Sequence, residues 1–102
     1  RITGVIFLSG DRHMTELLRV VPQGGYPLYE LTTSPLTSSA GRGHPGEANN
    51  PARVEGTWVT QRNFALITVR GKRGERQLVI GVYDKEGNRL WERTVSEQEL
   101  RW

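Results

Sequence analysis

Apolar and polar positions follow several different rhythms along this chain. Thr3 to Ser9 holds four consecutive large apolar residues, Val5 to Leu8, and Gly10-Asp11 then breaks the run. An unbroken apolar run of that length predicts a short strand buried on both faces. Met14, Leu17, Leu18 and Val21 then recur at i, i+3, i+4 and i+7. That spacing predicts a short helix from about His13 to Val20, with Asp11 as its N-cap and Pro22 and Gly24-Gly25 ending it. Tyr26 to Thr33, rich in aromatic and β-branched residues, predicts a second strand stopped by Pro35. From Ser34 to Pro51 the chain is dominated by Ser, Gly, Pro and Asn, which predicts one long loop over 34–52.

The second half is more regular. Asn63 to Arg70 and Gln77 to Asp84 are apolar runs joined by Gly71-Lys72-Arg73-Gly74-Glu75-Arg76, and Lys85-Glu86-Gly87-Asn88 leads into Arg89 to Val95. This predicts a three-stranded β-meander over 63–95. Ala65, Ile67 and Val69 fall on one face of its first strand and Phe64, Leu66 and Thr68 on the other, so both faces are expected to be covered. Ser96-Glu97-Gln98-Glu99 carries the S-x-x-E capping pattern and predicts a terminal helical turn. Together these elements predict an α+β fold in a single unit over 1–102: a mostly antiparallel sheet from the opening strand, the Tyr26 strand and the meander, with one short helix.

Composition narrows the function classes. With 102 residues the chain is the size of one domain, and 25% charged residues match an ordinary globular protein. No apolar run is long enough to cross a bilayer, and the first residues carry no targeting pattern. There is no Cys, which removes disulfides, thiolate metal sites and a cysteine nucleophile. The net charge of +3 gives mild attraction to anions, without the dense basic stripe of a nucleic-acid-binding chain. Only two His are present, whereas each metal ion takes roughly four to six ligands.

The sharpest local signal is Leu8-Ser9-Gly10-Asp11-Arg12-His13. A strand delivers a turn-permitting Gly, then a carboxylate and an imidazole two positions apart, a donor pair suited to zinc, iron or manganese. By spacing alone the same residues also fit an Asp helix cap beside a surface His. Other candidates have plain readings. His44 reads as a solvent-exposed loop His, although its loop could reach over a site beside the Asp11 turn. Arg70, Lys72, Arg73 and Arg76 read as a charged β-turn. Trp58, Trp91, Trp102 and Tyr83 read as packing aromatics. Ser34, Ser38 and Ser39 lack the G-x-S-x-G surroundings of a hydrolase serine. Asn63, at a strand start, reads as a cap or a partner for backbone groups.

The segment Gly4 to Glu16, G-V-I-F-L-S-G-D-R-H-M-T-E, resembles the closing part of the alkaline phosphatase D-like (PhoD-like) branch of the calcineurin-like metallophosphatases, where a buried strand ends in G-D-x-H. The likeness continues through Tyr29 to Ser38, Arg62 to Leu66 and Val82 to Trp91, in the family's order and over nearly the whole chain. It implies the C-terminal part of a four-layer α/β-β/α metallophosphatase fold. It further implies that His13 is a metal ligand and that Asp11 is a ligand or holds one in place. Arg12 would lie close to bound phosphate, and Glu16 would orient His13. The implied cofactor is a divalent or mixed-valence metal pair (iron, calcium, zinc or manganese), and the implied reaction is hydrolysis of a phosphate mono- or diester.

The family's other metal motifs, a D-x-H at the first strand, a G-D-x-x-D and a G-N-H-[DE], do not occur in these 102 residues. The expectation is therefore a C-terminal portion of a longer enzyme, inert as an isolated chain and partnered by the remainder of its parent polypeptide. Alone, it is expected to dimerise or swap strands through uncovered faces. By resemblance the parent is exported, as in a bacterial periplasm. The other reading, from a different class, is a small stand-alone β-rich module for binding or self-association, with no catalysis.

Overall fold

The computed structural model describes residues 2–41 and 46–102, so His44 lies outside the described residues. Six strands follow in order: β1 (Ile6–Ser9), β2 (Glu16–Val20), β3 (Leu28–Thr32), β4 (Asn63–Arg70), β5 (Gln77–Asp84) and β6 (Arg89–Ser96). The described helical pieces are two 3₁₀ turns, Glu47–Asn49 and Glu97–Leu100. The strands form two three-stranded sheets, ordered β1-β3-β2 and β4-β5-β6, rather than one.

The meander forms with the expected strands. β4 pairs antiparallel with β5 from Asn63 opposite Asp84 to Arg70 opposite Gln77, and β5 pairs antiparallel with β6. Ser96 then caps the last 3₁₀ turn, its Oγ accepting from the Glu99 amide at 3.3 Å. The first sheet is less local. β1 runs parallel to β3, and β2 runs antiparallel to β3 on its other side.

Five expectations are corrected here. The helix from His13 to Val20 is instead β2. Its outer edge is also paired: Thr15 bridges Val59, and the Val54 amide donates to the Leu17 carbonyl at 2.8 Å. Asp11 cannot cap a helix because its φ is 70°, whereas an N-cap needs extended backbone. The α+β assignment thus gives way to a mostly β fold, with no helix beyond these turns among the described residues. β1 is not buried on both faces; Phe7 and Leu8 are exposed, because β1 is an edge strand. Nor are both faces of the meander covered. Ile80, Val82, Trp91 and Val95 are buried against the first sheet's Leu17, Tyr29 and Leu31 cluster, while Leu66 on the opposite face is exposed.

Long-range polar bonds lock the two sheets together. The Trp91 indole donates to the Thr57 carbonyl at 2.8 Å, and Thr57 Oγ1 accepts from the Leu17 amide at 3.1 Å. At the other end the Tyr29 hydroxyl donates to Glu99 at 2.5 Å. Burial, reinforced by that carboxylate, pushes the Tyr29 phenol above its ordinary 10.0. Between β1 and β4 an apolar cleft of ≈ 370 Å³ stays open, lined chiefly by Ile6, Leu8, Ile67, Val69, Leu78 and Val95.

Candidate functional site

Because β1 and β3 are parallel, their carboxyl ends lie at the same edge of the first sheet, where loops can converge on a ligand. The turn Gly10 to Met14 leaves β1, and Thr33 to Ala40 leaves β3. Backbone and side-chain bonds together join the two loops. The Thr33 amide donates to the Ser9 carbonyl at 3.0 Å, and the His13 amide donates to Ser34 Oγ at 2.6 Å. Thr15 Oγ1 donates to Asn63 Oδ1 at 2.6 Å, and the Asn63 carboxamide donates to the Ser34 and Gln61 carbonyls at 3.1 and 2.8 Å. Asn63 therefore bonds backbone, as its strand-start position implied.

The turn is sharply bent. Asp11 and His13 are the described non-glycine residues with positive φ, 70° and 61°. Left-handed backbone costs an L-residue roughly 1–2 kcal/mol, although Asp and His tolerate it better than most. Such strain persists only where surrounding structure holds it, and here the Ser34 and Ser39 bonds do so. The His13 ring is fixed through Nδ1, 2.7 Å from the Ser39 carbonyl oxygen. A carbonyl only accepts, so Nδ1 carries the proton, and in the neutral ring Nε2 keeps its lone pair. Asp11 is exposed and its carboxylate makes no hydrogen bond or ion pair with the described residues.

An imidazole anchored on a carbonyl, with Nε2 bonded to no described residue, and a carboxylate are donor types that suit a transition-metal or zinc ion. Among the described residues no group of three or more His, Asp or Glu is gathered to hold an ion.

Arg12 and Glu16 are both engaged in ion pairs. The Arg12 guanidinium pairs with Glu47 and lies 3.9 Å from Glu16 Oε2, so it is engaged with carboxylates. Glu16 is fully buried and reaches Arg53, whose Nε donates to Oε1 at 2.8 Å, instead of the imidazole; Ser39 performs the orienting. The Glu16 Oε2 atom is buried without a hydrogen bond. Arg53 also donates to the Glu47 carbonyl at 2.5 Å and stacks over the Trp58 ring, 4.2 Å from its centroid. No signal in the sequence marks Arg53, and Ser39 acts through its backbone carbonyl on His13 instead of through the hydroxyl weighed for hydrolase chemistry. The packing aromatics behave as read, with Trp102 edge-on to Tyr26 and Tyr83 stacked on Phe64.

Comparison with protein families, curated proteins and solved structures finds no match to this chain.

Proposed function

We propose that this chain is the C-terminal portion of a metal-dependent phosphatase or phosphodiesterase, contributing Asp11 and His13 to a metal site whose other ligands come from the remainder of the parent polypeptide. The observation that carries this reading is the strained Asp11–His13 turn at the carboxyl end of β1, with the His13 ring held through Nδ1 by the Ser39 carbonyl. Evolution of a merely structural turn has no need of an imidazole in left-handed backbone, since Gly supplies that conformation without strain. The resemblance of Gly4 to Glu16 to the PhoD-like metallophosphatases points the same way.

A metal pair bound there would polarise the phosphoryl group and acidify water. The chain's own residues do the rest. Ser34 and Ser39 hold the turn and the imidazole. Arg12 supplies a cation between Asp11 and His13, held by Glu47, and Glu16 balances Arg12 and Arg53 from within the fold. The open apolar cleft and the unpaired edge of β1 agree with a chain that packs against further polypeptide. The same cleft favours the second reading, a self-associating module.

The test is hydrolysis of p-nitrophenyl phosphate and bis(p-nitrophenyl) phosphate by the full-length polypeptide containing this segment. Activity should be abolished by chelator, and His13→Ala or Asp11→Ala should lower kcat/KM by about 100-fold or more without unfolding. Unchanged activity in the His13 variant removes the ligand role. A reading frame that starts just before Arg1, with self-association and no hydrolysis, decides for the module.

A further inference from the structure

A second depression, lined mostly by residues with polar or charged side chains, adjoins the Asp11–His13 turn through Ser39. It has a volume of ≈ 420 Å³ and is lined by Ser39, Ala40, Thr60, Gln61, Arg62 and Lys85. Ser39 belongs to both places: its carbonyl holds the His13 ring while the residue forms one wall of the depression. We propose that this depression binds a phosphate-class anion, and that it receives a second anionic group carried by the ester's leaving portion. The second half of this statement rests on the hydrolase reading; the first does not.

Two cations from different elements face the same space. Arg62 spends Nε on the Ser38 carbonyl, 2.9 Å away, and neither of its terminal nitrogens is engaged by a described residue. An arginine pinned through Nε presents its remaining N–H groups as a preorganised fork for a tetrahedral oxyanion. No carboxylate among the described residues lies within 4.0 Å of Arg62 or Lys85, whereas Arg12, Arg53, Lys72 and Arg89 are all paired. The Thr60 and Ser39 hydroxyls and the Gln61 carboxamide offer further neutral donors.

Both cations stand on rigid supports. Arg62 precedes Asn63, whose amide and carboxamide are bonded to Pro35, Ser34 and Gln61. Lys85 opens the turn between β5 and β6, where the Asp84 carboxylate accepts from the Glu86 and Asn88 amides at 3.0 and 2.8 Å. The Arg62 guanidinium, held through Nε, loses little freedom on binding, whereas Lys85 brings a charge on a flexible stem from a fixed turn.

The test titrates inorganic phosphate, then pyrophosphate, into the isotope-labelled chain with chelator present and ionic strength held constant. Saturable shifts are expected at the Ser39, Thr60, Gln61, Arg62 and Lys85 amides, with pyrophosphate tighter. Arg62→Gln and Lys85→Gln, both at exposed positions, should each weaken binding about tenfold, while Lys72→Gln, on the turn at the other end of the meander and paired with Glu75, leaves it intact. Shifts that chloride reproduces, or binding indifferent to both variants, overturn the site. In the full-length polypeptide, Lys85→Gln should raise KM about tenfold for ethylene glycol bisphosphate, whose leaving alcohol carries a second phosphate, and leave p-nitrophenyl phosphate, whose leaving group has none, unaffected. Phosphate binding by the chain together with absent hydrolysis overturns the hydrolase reading and keeps the anion site; hydrolysis with equal KM changes for both esters does the reverse for the leaving-group assignment.

Discussion

The two sheets are held together by different means. In the meander, β4, β5 and β6 are neighbours in sequence and in space, joined by turns at 71–76 and 85–88, and the backbone ladder carries the order. In the first sheet the spatial order β1-β3-β2 departs from the chain order, and β2 is flanked by partners drawn from 28–32 and from 53–59. Its loops are fixed by side chains: Ser34 on His13, Thr15 on Asn63, Arg53 on Glu16. The functional turn belongs to the second kind of structure. A strained geometry can be kept only by contacts specific to it, and side chains are more specific than a ladder.

The strongest way to break this contrast is to remove Arg53. Its side chain is 9% exposed and that of Glu16 is 0% exposed, so Arg53→Met strands a buried carboxylate. Such losses cost about 3–5 kcal/mol. If the first sheet depends on side chains and the meander does not, hydrogen exchange should show protection lost first over 16–20 and 52–59, with β4 to β6 retained. Adding Glu16→Gln should restore much of the stability, because a neutral group is cheaper to bury than an unpaired charge. Uniform loss of protection in both sheets would show that they open as one unit and that the contrast is only architectural.

The same division decides what could be read from the sequence. The meander announces itself because its strands and turns alternate over short distances, and Asn63–Arg70 and Gln77–Asp84 fall where the apolar runs end. The S-x-x-E cap is equally local. β2 misleads because Met14, Leu17 and Leu18 match a helical stripe, yet Met14, Thr15, Glu16 and Leu17 are all buried. Four successive buried positions suit a strand enclosed on its edges and faces, and the partners that enclose it lie far along the chain. The Arg53–Glu16 pair spans 37 positions, so no spacing rule finds it. For the site, Gly10, Asp11 and His13 were legible as a motif, while their left-handed backbone and the Ser39 anchor depend on the parallel placement of β1 beside β3.

A milder variant tests the turn that the meander relies on. Gly71 has φ 92°, and a Cβ there would stand 2.7 Å from the Glu75 carbonyl oxygen. Gly71→Ala therefore combines a left-handed penalty with a backbone collision and should cost about 1–2 kcal/mol, read as a lower denaturation midpoint with an unchanged slope. Should the loss match that of Arg53→Met, the meander would be no more robust than the sheet it supports.

The smallest effect concerns the turn beneath Lys85. The Asp84 carboxylate is held below its ordinary 3.8, chiefly by the hydrogen bond from the Asn88 amide, aided by the Asn88 side chain and the Glu86 and Gly87 amides. A carboxyl depressed in the folded state stabilises that state above its unfolded value, and the contribution disappears as pH falls through the folded one. Asp84→Asn should thus lower Tm slightly at neutral pH, and the gap to the unsubstituted chain should narrow only once pH drops below 3.8. Anion binding at Arg62 and Lys85 should weaken over that same acid window, because protonating Asp84 loosens the turn that places the Lys85 ammonium. A Tm gap that is constant from neutral pH down to strong acid would mean that the carboxylate charge plays no part in holding this turn, leaving shape alone to set the position of Lys85.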